Sequence, residues 1–296
     1  GDSEGDDAGD DGEDEIEATM MEQAPIPASD DPLIDMVLGN CRLVSKLGEG
    51  GMGAVYLAEN VAIEQKIAVK VLHAHAAQSD ELVKRFNREA KVICRLTHPN
   101  IIRVFIFGHT PDDLIVLAME YVEGADLKTC VERGLKSGNP MSPAQCAWIM
   151  MEISKGLHYA HVKEDKGQPL NIVHRDVSPP NVLVSKQGEI KLTDFGLAKA
   201  QSQIEVTDPG VVKGKFGYLS PEAAIGEAID QRTDVFAVGI VLWEMLAGRR
   251  LFQGKTDVDT LQLVRAADIP PLRTYNPDVD PELEQIARDS LARDPA

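Results

Sequence analysis

The chain has 296 residues, 43% of them apolar, and a formal net charge of −18. That is enough apolar material for one large globular domain or two lobes around a cleft, and the acidic balance speaks against nucleic acid as a partner. The charge is uneven: fourteen acidic residues and no Lys or Arg precede Arg42, so the remainder carries only −4.

Residues 1–36 are acidic and, to about Pro32, rich in Gly and poor in large apolar side chains. Such a segment buries too little surface to offset its ordering entropy, so it is expected to be a disordered tail. A solvated leader is the simpler reading; an arm that binds a basic partner or inhibits the domain is the alternative. The folded domain is then expected over 37–296. Cys41, Cys94, Cys130 and Cys146 form no CxxC pair and read as reduced, mostly buried thiols, in keeping with a cytoplasmic setting. No run of about 18 apolar residues occurs, and no signal peptide is evident. A membrane anchor past Ala296 stays open.

In chain order, Cys41–Leu47 and Val55–Glu59 read as strands joined by glycines, and Ile67–Leu72 as a compact apolar strand. Asp80 to Leu96 has helical spacing, with Leu82, Phe86, Ala90 and Ile93 on one face. Ile101–Phe107 and Leu114–Met119 return to strand character around the turn Pro111-Asp112-Asp113. A hinge is expected near Glu120–Gly124. Beyond it the chain is mostly helical: Pro143 to Val162 behind the N-capping Ser142, an apolar Asp234–Leu246, then Asp257–Ala267 and Pro281–Ala292. Lys163–Asn171 reads as a polar loop, and Val182–Val184 and Ile190–Leu192 as short strands. The pattern predicts an α+β, bilobal architecture, a small β-rich lobe followed by a larger α-rich one.

Gly48-Glu49-Gly50-Gly51-Met52-Gly53-Ala54-Val55 has the GxGxxGxV form, in which glycines let a hairpin lie close over phosphates. Alone it is weak, since many such runs are ordinary turns; its place between two strands argues against a dinucleotide-binding turn, which a helix should follow. Lys70, in Ile67-Ala68-Val69-Lys70, is either an edge-strand lysine or a phosphate ligand paired with a helix carboxylate, Glu89 being the best candidate. In His174-Arg175-Asp176-Val177-Ser178-Pro179-Pro180-Asn181, Asp176 would accept the proton of an attacking hydroxyl. Asn181 and Asp194 (of Asp194-Phe195-Gly196) would supply hard oxygen ligands to Mg²⁺. Each piece alone has a bland reading as a turn or loop; the ordered set does not.

From about Val44 to Pro295 the sequence resembles the eukaryotic-like (Hanks-type) serine/threonine protein kinases of bacteria. Further matches are His98-Pro99-Asn100, Met119-Glu120-Tyr121-Val122, Ser220-Pro221-Glu222 and Asp234-Val235-Phe236-Ala237-Val238-Gly239. The resemblance implies ATP and Mg²⁺ as cofactors, protein substrates, and transfer to Ser or Thr hydroxyls in bacterial signalling. It implies adenine between Ala68 and Leu183, backbone bonds from Glu120 and Val122, and Met119 as the gatekeeper. Val55 would cap the base and Asp126 lie near the ribose, while Leu47, Gly48, Gly50, Gly51 and Gly53 would line the phosphate loop. A pseudokinase that binds nucleotide or a partner without transfer is the alternative; a small-molecule kinase is disfavoured by the full activation segment.

Two departures stand out. Family members usually carry Lys where Ser178 stands and Thr where Lys215 stands. Both positions lie beside the catalytic Asp in the family, so Lys215 is expected to supply the positive charge and Ser178 to hydrogen-bond Asp176. Arg175 before Asp176 implies activation-loop phosphorylation, with Thr207 the first candidate acceptor and Ser202 the second. The chain stops at Ala296, before the Arg that usually pairs with Glu222, so the last helix is expected to be missing and Glu222 unpaired, at a cost in stability. His73 with His75, and His158 with His161, read as ordinary polar or packing residues rather than metal ligands.

Overall fold

In the computed structural model, residues 31–50, 53–72, 90, 93–109, 114–195 and 216–293 are described. Alternating apolar residues, with glycines at the first turn, build a six-stranded antiparallel sheet in the order β1-β2-β3-β4-β6-β5. Its strands are β1 (Val37–Leu38), β2 (Cys41–Gly50), β3 (Gly53–Asn60), β4 (Gln65–Leu72), β5 (Val104–His109) and β6 (Ile115–Glu120). Cross-strand register puts Val55 opposite Lys70, Lys70 opposite Leu117, and Ala68 opposite Met119. With a side-chain period of two, these residues share the face turned toward the main core. Ala54, Tyr56, Ala58, Val69, Val71 and Ala118 form a second core on the opposite face. The start of the hairpin must be Gly53, because a Cβ there would stand 2.1 Å from the Val71 carbonyl oxygen.

Residues 31–36, assigned to the tail from their composition, belong to the folded part. Leu33 and Ile34 pack on the second core. Asp31 accepts the Tyr56 hydroxyl at 2.9 Å, pairs with Lys46 at 2.9 Å, and caps the Leu33 N–H at 3.0 Å. Burial opposes its charge, but those partners hold its carboxyl below the usual range, and the Tyr56 hydroxyl is pushed up to about 12 by burial and by Asp31. The predicted Asp80–Leu96 helix lies outside the described residues except at its end, where Ala90 and Ile93 are helical and buried.

Past a bend at Glu123, β7 (Gly124–Asp126) joins β10 (Val182–Ser185) and β11 (Ile190–Leu192) in a three-stranded sheet. The helical body contains Leu127–Lys136, Pro143–His161, Pro221–Ile225, Arg232–Ala247, Asp257–Ala266 and Pro281–Ser290. Ser142 starts the second helix through a reciprocal capping box with Gln145. Arg232–Ala247 is buried nearly all round and packs on Pro143–His161 and Pro281–Ser290. The strand expected from Ile101 begins at Val104; Ile101 instead makes a single parallel bridge to Leu192, tying the two lobes.

The expected loop Lys163–Asn171 contains a hairpin, β8 (Glu164–Asp165) with β9 (Gln168–Pro169). Lys166 and Gly167 both take positive φ, 53° and 75°, as a tight two-residue hairpin turn requires. Asp165 pairs with Arg95, so the excursion has a structural partner. Of the cysteines, Cys41 and Cys146 are buried, Cys130 is intermediate and Cys94 is exposed, so the expectation of mostly buried thiols holds for only half. Among the described residues no helix is long and apolar enough to cross a membrane.

Candidate active site

The cleft between the two lobes is bordered by the sheet face carrying Val55, Ala68 and Lys70 and by the loops on either side of β10 and β11. Lys70 is 11% exposed, and its Nζ lies 2.6 Å from Asp194 Oδ1. Among the described residues Asp194 is the ion-pair partner of Lys70; Glu89, the partner expected from the sequence, lies outside them. Asp194 sits at φ +57° and Arg175 at +66°, strained values for residues with side chains. Such strain persists where surrounding bonds over-determine the backbone.

For Arg175 the bond goes to Asp234. Its Oδ1 accepts the Arg175 N–H at 2.8 Å, and its Oδ2 accepts the His174 N–H at 2.8 Å and faces His161 Nε2 at 2.7 Å. Asp234 is fully buried at the start of an apolar helix. His161, read as a packing residue, is therefore a polar partner of the loop's anchor. His174 is also fully buried, and burial pushes its imidazole down, so the neutral form prevails. Its Nε2 lies 3.0 Å from the Thr193 carbonyl and its Nδ1 accepts the Asp176 N–H at 3.3 Å. Its ring packs on Phe195 at 4.4 Å. One imidazole thus links the Asp176 loop to the segment carrying Asp194.

Asn181 Nδ2 donates to the Asp176 carbonyl at 2.8 Å, which turns Oδ1 the other way. The Asn181 carbonyl accepts from Thr193 N–H at 3.0 Å, bringing Asn181 and Asp194 to neighbouring backbone positions. An amide oxygen and a carboxylate are the hard donors that suit Mg²⁺, so the residues present fit that ion. The Ser178 hydroxyl donates to the Asp176 main-chain carbonyl at 3.4 Å, a long bond. Lys215, Thr207, Ser202 and Gly51 lie outside the described residues.

Toward the hinge, Glu120 pairs through Oε1 with buried Lys191 at 2.9 Å and accepts the Arg103 N–H on Oε2 at 3.2 Å. Its own N–H is used by the Arg103 carbonyl at 2.8 Å, so the Glu120 main-chain group left for a ligand is the carbonyl. Met119 is buried, Val122 is half-buried, and Leu183 packs at the edge of the main core. Leu47 and Gly48 are exposed on β2 ahead of Gly50, at the turn into β3. Asp126, expected near a ribose, caps the Leu127–Lys136 helix by accepting Thr129 N–H at 2.7 Å. Glu222, expected to be unpaired, accepts the Thr233 hydroxyl at 2.8 Å. Sequence reasoning assigned no site role to His161, His174, Thr193, Lys191 or Asp234. The available signal was Asp234, an acid inside an otherwise apolar helix.

A small antiparallel sheet over a helical body, with a lysine, two aspartates and an asparagine gathered at the cleft, is the architecture of a protein kinase. Residues 41–296 match the family described as the protein kinase domain, and the chain belongs to that family. It is 34% identical over 279 residues to the tyrosine-protein kinase MasK of Myxococcus xanthus, covering 92% of this chain and 43% of that one. It is 36% identical over 259 residues to the serine/threonine-protein kinase PrkC of Bacillus subtilis, covering 88% and 38%. Among solved structures it resembles the kinase domain of Mycobacterium tuberculosis PknI, with TM-score 0.67 and 27% identity over 88% of this chain and 91% of that one. The chain thus spans about two fifths of the length of these curated relatives.

Proposed function

We propose that the chain transfers the γ-phosphoryl group of ATP to Ser and Thr hydroxyls of proteins, and to its own activation loop, in bacterial signalling. The observation that carries this reading is the 2.6 Å pair of Lys70 with Asp194, with Asp176 and Asn181 on the adjoining loop. Lys70 would hold the α- and β-phosphates while keeping Asp194 oriented. Asn181 Oδ1 and Asp194 would hold the magnesium, which neutralises charge on the phosphates when bound. Asp176 would accept the proton as the substrate oxygen bonds to phosphorus and the bond to ADP breaks. Adenine would lie between Ala68 and Leu183 under Val55, bonded to the Glu120 carbonyl and the Val122 backbone. Glu89 is proposed as a second partner of Lys70, and Leu47, Gly48, Gly50, Gly51 and Gly53 as the phosphate-loop wall.

Arg175 supports regulation by autophosphorylation. Its Nε is buried and, among the described residues, has no hydrogen-bond partner. A phosphate on Thr207, or on Ser202, would give the guanidinium a bidentate acceptor. Lys215 is proposed to supply the ammonium that Ser178 does not. A reducing, cytoplasmic compartment fits the four free cysteines, and the acidic residues 1–30 would suit a basic partner.

Radiolabelled transfer from ATP to protein, with Asp176→Asn as control, tests the reading. Label on Ser and Thr that disappears in the variant is expected; label on Tyr alone would move the chain toward the specificity in the name of MasK. Nucleotide binding without transfer would favour a pseudokinase, the reading that Ser178 supports.

A further inference from the structure

Residues 31–36 do more than cover the second core. The Asp35 N–H donates to the Leu43 carbonyl and the Leu43 N–H to the Met36 carbonyl, both at 2.9 Å. Those bonds fasten the end of the segment to the start of β2. Its beginning is fastened further along the same strand. Asp31 Oδ2 lies 2.9 Å from Lys46 Nζ and accepts the Tyr56 hydroxyl at 2.9 Å. Lys46 and Tyr56 are cross-strand partners, and the Lys46 ammonium stands 5.8 Å from the centre of the Tyr56 ring. The same ammonium reaches Glu49 Oε2 at 2.9 Å. Glu49 lies between Gly48 and Gly50 of the phosphate loop. Asp31, Lys46 and Glu49 thus form a chain of charges running from the 31–36 strap to that loop.

The stretch that this chain spans is irregular. The β2–β3 register slips between Leu43 and Ser45 and again between Lys46 and Gly48. Val44 and Leu47 are the extra residues, and both are exposed. Such a bulge disrupts the ladder locally and bends the strand, so ladder bonds alone hold the phosphate loop loosely. Both slips are bridged from outside the ladder. The strap crosses the first, from Leu43 to Lys46, and the Lys46–Glu49 pair crosses the second. Asp31 meets the sheet on the side away from the cleft: Ala54 and Tyr56 belong to the second core, while Val55 between them packs on the main core. Any effect of Asp31 on a nucleotide therefore runs through β2.

We infer that Asp31 is a positioning residue for the nucleotide phosphates, bracing β2 through Lys46 so that Glu49 and its flanking glycines are held in place over them. This rests on the protein-kinase reading above. The brace raises affinity by ordering the loop before the ligand arrives, which lowers the ordering cost of binding.

The test is calorimetric titration of wild type, Asp31→Asn, Lys46→Met and the double variant with Mg-ATP and, separately, with adenosine, which has no phosphates. Asp31→Asn keeps an acceptor for Tyr56 but drops the charge that holds Lys46. By charge alone, removing an anion near the phosphates should tighten ATP; the brace predicts the opposite sign. A Kd for ATP raised about five-fold is expected, with the Kd for adenosine within about two-fold of wild type. Lys46→Met should weaken ATP at least as much, and adding Asp31→Asn to it should cost under about two-fold more, because the two residues act as one link. Partly exposed ion pairs add little to global stability, so Tm should stay within about 3 °C. ATP binding that is unchanged or tighter in Asp31→Asn overturns the inference. So does an equal weakening of ATP and adenosine, or a double variant in which the two losses multiply in full. A wild type that binds neither ligand sinks the kinase reading, and this inference with it.

Discussion

Lys70 Nζ stands 2.6 Å from Asp194 Oδ1, joining a strand of the small sheet to the loop beyond β11 and so bridging the two lobes. With Lys70 only 11% exposed, the pair is screened far less than a surface salt bridge. Lys70→Met should lower phosphoryl transfer by about 10²–10³-fold, the usual effect of deleting one preorganised electrostatic group. Steady-state kinetics would check this, and activity within two-fold of wild type would remove Lys70 from the proposed site.

Asp234 is the acceptor for two backbone N–H groups, those of His174 and of strained Arg175, and for His161. Asp234→Ala leaves those buried donors without it, each worth about 1–3 kcal/mol, so a loss of about 3–5 kcal/mol is expected from urea unfolding. Asp234→Asn keeps one acceptor oxygen and should lose less. A loss under about 1 kcal/mol for the alanine variant would mean that the loop holds itself without this anchor.

The strands were legible because their period of two is clean: Val55, Ala68 and Lys70 fall on one face in sequence as in structure. Ser142 and Gln145 likewise announced a helix start. The Leu127–Lys136 helix was not recognised, although Asp126 with Thr129 three residues on is a cap signal; its composition is mostly polar and Asp126 had been given to a ribose. The 31–36 strap was missed because its anchors, Tyr56 and Lys46, come more than a dozen residues later, and composition carries no long-range pairing. For the site, motif spacing named Lys70, Asp176, Asn181 and Asp194. It could not name His161 as a partner of Asp234, 73 positions away, because nothing local distinguishes that histidine from a packing residue.

His174 makes stability depend on pH. Its ring is fully buried and its pKa is depressed by that burial, while the unfolded value is about 6.5. The unfolded chain therefore binds the proton more readily. The contribution of neutral His174 is complete above about pH 6.5 and is lost as pH falls from there through the depressed folded value. Thermal unfolding between pH 7.5 and 5.5 should show a fall in Tm that is smaller in His174→Phe, which carries no proton. Parallel curves for the two proteins would assign the acid sensitivity to other groups.

Among the described residues the Ser178 hydroxyl bonds the Asp176 carbonyl, at 3.4 Å, too long for a strong bond, and a hydroxyl has no positive charge to offer a phosphoryl group. If transfer occurs at a useful rate, an ammonium or guanidinium must stand near Asp176 from elsewhere, and Lys215 is the proposed source. Lys215→Ala should then lower kcat by about 10–10²-fold, with the KM for ATP little changed, since the lost interaction belongs to the transition state. Ser178→Lys alone would crowd a second cation beside Lys215, and Lys215→Thr alone would leave none. The double variant Ser178→Lys, Lys215→Thr restores one cation and one hydroxyl, so it should be less impaired than either single change. A coupling of about 0.5–3 kcal/mol is the size that contacting groups give in such a cycle. Additive losses, or an unaffected Lys215→Ala, would show that the two positions act separately.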